Sequence, residues 1–120
     1  AARGKVAAYY DYAFSTVRQI KTPARQPNAT HVFHQYTMQV PEGDRDQLKV
    51  YLAEQGVPAM IYYPVPLYKQ VAFADYWNGG ELPVTEHLCK TVISLPMHTE
   101  MTNEVLEKIT GAVKAYFAAK

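Results

Sequence analysis

His31-Val32-Phe33-His34-Gln35-Tyr36-Thr37-Met38-Gln39-Val40 alternates between two kinds of residue. Val32, Tyr36, Met38 and Val40 share one parity; His31, Gln35, Thr37 and Gln39 share the other. A period of two sends successive side chains to opposite faces, so the stretch predicts a strand with one buried and one wetter face. Pro41-Glu42-Gly43 ends it. Asp44 stands three residues before Gln47, an N-capping pattern, and Leu48, Tyr51 and Leu52 form a helical stripe. Gly56 suits the left-handed position after that helix, and Pro58 forbids its continuation.

On the N-terminal side, Val6, Tyr10, Ala13 and Val17 fall at helical spacing, which predicts a helix from Lys5 to Thr16. Lys21 to Thr30, with Pro23, Pro27 and Asn28, reads as loop. On the C-terminal side, Ala59-Met60-Ile61-Tyr62 reads as a short strand, and Phe73 to Leu82 as a loop in which Asn78-Gly79-Gly80 permits positive φ. Pro83 opens a helix to about Lys90. Thr91 to Leu95 reads as a third strand, stopped by Pro96. Thr102 can cap a last helix, where Val105, Ile109, Ala112, Val113, Tyr116 and Phe117 recur every three to four residues. The order helix, strand, helix, strand, helix, strand, helix predicts an α/β chain, a two-layer α+β sandwich of about three strands with helices on one face. Residues 1–120 make one domain, with a sheet-and-helix core over 31–118.

Composition narrows the function classes. Twelve Lys and Arg oppose eleven Asp and Glu, for a net charge of +1. No basic patch invites nucleic acid or an anionic membrane. No apolar run approaches the ~20 residues that span a bilayer. The single cysteine, Cys89, excludes an intramolecular disulfide and fits a reducing, cytoplasmic setting. The start at Ala1 has no initiator Met and no signal-peptide pattern, and reads like a piece of a longer protein.

Catalytic constellations are sparse. His31 and His34, three apart on a strand, point to opposite faces, and His87 and Cys89 diverge around a helix, so neither pair converges on a metal. His34 shares parity with Val32 and Tyr36, which predicts a hydrogen-bonded core or interface histidine. Cys89 sits among apolar residues, and Ser94 lacks the Gly-flanked turn of a nucleophile elbow. Gly79-Gly80 alone makes no phosphate loop.

Tyr62-Tyr63-Pro64-Val65-Pro66-Leu67-Tyr68-Lys69 remains. Its two prolines fix φ and bias the residues before them toward extended geometry. Tyr62, Tyr63 and Tyr68 suit either amphipathic packing at a domain edge or a binding rim, where phenol rings stack on a sugar or base and hydroxyls hydrogen-bond it. Lys69 is free either to meet a phosphate or carboxylate or to stay solvated.

Five segments, in order, resemble one family. They are His34-Gln35-Tyr36; Asp44 to Pro58; Tyr62-Tyr63-Pro64-Val65-Pro66-Leu67; Leu82-Pro83-Val84-Thr85-Glu86; and Ser94-Leu95-Pro96-Met97-His98. They are similar to the C-terminal region of the DegT/DnrJ/EryC1/StrS pyridoxal-phosphate-dependent nucleotide-sugar aminotransferases. The resemblance implies the small domain of a fold-type-I enzyme, with residues 1–17 as the helix connecting it to the large domain. It implies transfer of an amino group from glutamate to a nucleotide-linked keto-sugar, in cell-surface polysaccharide or natural-product sugar biosynthesis, by a cytoplasmic homodimer.

The family's Schiff-base lysine, the carboxylate on its pyridinium nitrogen and its phosphate cradle belong to the large domain. The resemblance therefore implies a fragment that alone neither transaminates nor holds pyridoxal phosphate tightly, and that contains no catalytic residue. Tyr62 and Tyr63 match sugar-facing positions, the first often a histidine. Tyr68 stands where many members carry histidine in a Pro-Leu-His triplet, a proton shuttle that tyrosine cannot replace near pH 7. The candidate substrate-binding residues are Tyr62, Tyr63, Tyr68, Lys69 and His34, with the rest of the same protein as partner. A second reading is a free-standing, non-catalytic binding or regulatory module of the same fold.

Overall fold

The alternating stretch is a strand only over Tyr36–Gln39, β1. In the computed structural model, which describes residues 1–120, Phe33 has φ +51° and donates its N–H to His31 Nδ1 at 2.9 Å. That left-handed residue breaks the extended run, so parity does not carry from Tyr36 back to Val32. Val32 is accordingly exposed while Phe33 is buried, and His34 is exposed rather than a core histidine.

β1 pairs antiparallel with β2 (Val92–Leu95), Tyr36 opposite Leu95 and Met38 opposite Ile93. These four face the core and are all buried. Thr37 and Ser94 occupy the opposite face, with their hydroxyl oxygens 2.7 Å apart. The expected middle strand over 59–62 is a single bridge: Met60 exchanges both backbone hydrogen bonds with Ser94, at 3.0 and 2.7 Å. Lys21 likewise bridges Gln39 at the other edge. The sheet thus has two strands rather than three, and one bridging residue covers each edge.

The helices are α1 (Ala2–Phe14), α2 (Glu42–Glu54), α3 (Pro83–Thr91) and α4 (Asn103–Ala118). The N-cap of α2 is Pro41, not Asp44. Glu42 and Asp44 lie in the first turn, where the helix dipole favours them. Asp44 instead accepts from the Tyr116 hydroxyl at 3.2 Å and pairs with Lys120. The other end of α2 closes as its sequence requires. Gly56 has φ +71°, Val57 N–H donates to the Leu52 carbonyl at 2.8 Å, and Gly56 N–H to that of Ala53 at 3.0 Å, a Schellman pair. Thr102 caps α4, its hydroxyl accepting from Val105 N–H.

One core joins these elements. Tyr10 and Phe14 of α1, Leu48 and Leu52 of α2, and Ile109 and Val113 of α4 pack with the inner sheet face. Each such side chain contributes about 1.5–3 kcal/mol relative to exposure. Helix α1 contributes Val6, Ala7, Tyr10, Ala13 and Phe14 to this core. Tyr10 also donates its hydroxyl to the Pro96 carbonyl at 2.7 Å, tying α1 to the turn that leaves β2.

Candidate functional site

The outer sheet face leads to the site. Because Met60 is bridged to Ser94, the chain leaves the sheet edge at a fixed point and delivers Tyr62 beside the β2 exit. His34 and Gln35, entering β1, border the same place. Tyr62, Met60 and the run Ser94–Met97 complete an open cleft of about 330 Å³. Three stretches some 30 residues apart in sequence meet there. The lining carries amide, hydroxyl, imidazole and phenol groups with methionine and proline between them, and no carboxylate or fixed cation. Such a surface can hydrogen-bond the hydroxyls of a neutral ring and stack on its apolar face.

Tyr63 lies next to the cleft, 71% exposed, with its ring 5.8 Å from that of Tyr62 in an edge arrangement. The Tyr62–Tyr63 peptide bond is cis. Tyr68 and Lys69 are placed differently. They sit in a 3₁₀ turn, Leu67–Lys69, and both reach the Glu86 carboxylate in the first turn of α3. The Tyr68 hydroxyl donates to Glu86 Oε1, and Lys69 Nζ lies 2.9 Å from the same oxygen. This hydrogen bond pushes the Tyr68 phenol above its usual range and, with Lys69, holds the Glu86 carboxyl below the usual carboxylate range. The same carboxylate raises the Lys69 ammonium.

The structure thus brings His34 and Tyr62 to one cleft, leaves Tyr63 outside its lining against the Tyr62 ring, and groups Tyr68 with Lys69 at a separate anchor. Gln35, Met60, Ser94 and Met97 also line the cleft and were not legible as site residues. The available signals are the family-like segments that hold Gln35, Ser94 and Met97, and the polar parity of Ser94 between Ile93 and Leu95. Ser94 faces Thr37 rather than a base, and no three His, Cys, Asp or Glu side chains converge on a metal position.

A larger hollow, about 760 Å³, lies among residues 23–37. Its cation is occupied: Arg25 pairs with Asp11 and lies 4.1 Å over the Phe33 ring.

A profile of the DegT/DnrJ/EryC1/StrS aminotransferase family matches residues 1–114. The chain belongs to this family. Over 119 residues it is 34% identical to dTDP-3-amino-3,6-dideoxy-alpha-D-galactopyranose transaminase of Aneurinibacillus thermoaerophilus, covering 95% of this chain and 30% of that protein. Over 95 residues it is 43% identical to the pleiotropic regulatory protein of Geobacillus stearothermophilus, covering 75% and 25%. A DegT DnrJ EryC1 StrS aminotransferase from Brucella abortus superposes with TM-score 0.85 at 33% identity, covering 97% of this chain and 30% of that one. The chain spans about a quarter to a third of the length of these relatives.

The DegT/DnrJ/EryC1/StrS family is pyridoxal-phosphate-dependent, and that cofactor supplies an electron sink and a carrier for the amino group. The residues present here do not fit it. The cleft beside Tyr62 has no amine to form a Schiff base and no cation for a phosphate. Lys69, the lysine of the tyrosine segment, is engaged by Glu86.

Proposed function

We propose that these residues form the small domain of a nucleotide-sugar aminotransferase. The whole protein moves an amino group from glutamate onto a keto-sugar carried by UDP or dTDP, for cell-surface polysaccharide or natural-product sugar biosynthesis. It works in the cytoplasm as a homodimer, with pyridoxal phosphate held by the large domain. This part contributes one wall of the sugar site and no catalytic residue. One observation carries the reading: four of the five family-like segments, spread from His34 to Met97, contribute to the His34–Tyr62 cleft.

The wall acts by binding and orientation. Tyr62 and Tyr63 offer hydroxyls and ring faces to the sugar, and His34 and Gln35 offer hydrogen bonds from the opposite rim. Holding the sugar carbonyl near its reaction geometry lowers the entropic part of the barrier. The full-length protein is assayed with glutamate and UDP- or dTDP-linked keto-sugars. Tyr62→Ala and Tyr63→Ala are expected to raise KM for the sugar about tenfold while KM for glutamate holds. Unaltered sugar kinetics in both variants would sink the wall assignment.

A second reading is a free-standing, non-catalytic binding or regulatory module of the same fold; the name of the Geobacillus relative, pleiotropic regulatory protein, favours a regulatory role. A full-length product that never aminates any keto-sugar of the panel, yet binds one, would select it.

A further inference from the structure

The tyrosine segment is attached to the rest of the molecule at very few points. From Ile61 to Glu81 the one buried residue is Pro66. Tyr63, Leu67, Val71 and Tyr76 are largely exposed, so apolar burial scarcely holds the segment down. Its backbone hydrogen bonds are all local, such as Lys69 N–H to Pro66 and Phe73 N–H to Gln70. Residues 61 to 65 make none. A stretch with few buried contacts and only local bonds opens at low free-energy cost.

The side-chain ties from residues 61–81 into α3 itself both end on one carboxylate. The Tyr68 hydroxyl donates to Glu86 Oε1 and Lys69 Nζ meets the same atom. The Tyr68 oxygen also accepts from Leu82 N–H at 3.4 Å, closing the loop that runs between them. The Trp77 ring lies 5.3 Å from the Tyr68 ring, and its indole N–H caps the Gly80 carbonyl at 3.1 Å. The wall therefore hangs between two anchors, the Met60–Ser94 bridge and the Tyr68–Glu86 contact. Pro64 and Pro66 stiffen the short span between them.

We propose that Glu86 is a positioning residue: by gathering Tyr68 and Lys69 it seats the Leu67–Lys69 turn on α3, and so holds Tyr62 and Tyr63 in place at the cleft. It touches no sugar itself. Its effect on sugar handling rests on the function proposed above. A tyrosine at position 68 then has a use that histidine would not share in the same form, since its longer side chain carries the donor to Glu86 while its ring packs on Trp77.

Amide exchange of the intact chain, read over peptides spanning 61–82, tests the anchor. Glu86→Ala is expected to speed exchange there about tenfold and to red-shift Trp77 emission, while peptides of β1, β2 and α4 exchange as before. Glu86→Gln keeps an acceptor for Tyr68 and is expected to recover part of the protection. Tyr68→Phe, which leaves α3 untouched, is expected to reproduce the release. Exchange over 61–82 unchanged in both Glu86→Ala and Tyr68→Phe would overturn the proposal. In the full-length protein, Glu86→Ala is expected to raise KM for the keto-sugar several-fold with kcat nearly kept. A released loop with unaltered sugar KM would instead count against Tyr62 and Tyr63 as the sugar wall.

Discussion

The hydroxyl of Tyr36 in β1 donates to Asp11 Oδ1 in α1 at 2.7 Å, while the other oxygen of that carboxylate receives Arg25. The Tyr36 side chain is fully buried, its ring 4.8 Å from that of Tyr10. One hydrogen bond thus fixes the first helix against the sheet and, through Arg25, the loop that crosses between them. Tyr36→Phe keeps the packing and removes the donor, and is expected to lower stability by about 1.5–3 kcal/mol, the range for a bond to a charged group. Asp11→Ala is expected to cost more, because it leaves the buried Tyr36 hydroxyl without its acceptor and also removes the ion pair with Arg25. Urea unfolding followed by far-UV circular dichroism measures both; an unchanged midpoint for Tyr36→Phe would contradict the role.

The same burial sets an alkaline limit. Desolvation raises the Tyr10 phenol above the ordinary tyrosine range, and desolvation with the Asp11 bond raises that of Tyr36 further. A group whose folded pKa is raised contributes stability that is complete below its unfolded value, near 10, and is lost as pH rises toward the folded one. Stability is therefore expected to fall with increasing pH above about 10. Phenolate absorbance at 295 nm should show two of the ten tyrosines ionising only as the chain unfolds. If Tyr36→Phe and wild type lose stability along the same alkaline slope, Tyr36 is not a source of it.

The turn after α2 gives a third outcome. Gly56 at φ +71° lets Val57 and Gly56 cap the last carbonyls of α2, and it points Val57 back into the core beside Leu52. An added Cβ would meet Lys108 Nζ at 3.4 Å, ordinary contact at the far end of a flexible side chain. The cost of Gly56→Ala is then conformational, about 1–2 kcal/mol, visible as a lowered denaturation midpoint with an unchanged m-value.

Elements marked by local chemistry were legible. Gly56 and Pro58 ended α2, Thr102 opened α4, Pro83 opened α3, and period two exposed the inner face of β1. What depended on distant partners was not. Phe33 interrupts the alternating run because its N–H finds the His31 ring, which no periodicity reports, and His34 left the core with it. The expected strand at 59–62 shrank because Met60 alone pairs with Ser94 before Pro64 and Pro66 turn the chain away. Asp44 carries the side chain of a cap but answers to Tyr116 and Lys120, more than seventy residues on. At the cleft, the family-like motifs named the segments that meet. The tie of Tyr68 to Glu86 needed the folded loop to be seen.

Met60 is where sheet and cleft are joined, so it separates the two anchors by experiment. Met60→Pro removes the N–H that donates to the Ser94 carbonyl and leaves that oxygen without its partner. The side chain is nearly half exposed, so little packing is lost with it. The expected cost is about 1–3 kcal/mol from the stranded carbonyl, with faster exchange of the Ser94 amide, which donates to Met60 at 2.7 Å. Resonances of His34 and Met97 should shift, since they share the cleft with Met60. Those of Trp77 should stay, because the Tyr68–Glu86 anchor lies beyond the two prolines. A shift of Trp77 as large as that of His34 would mean that the segment moves as one body from a single attachment.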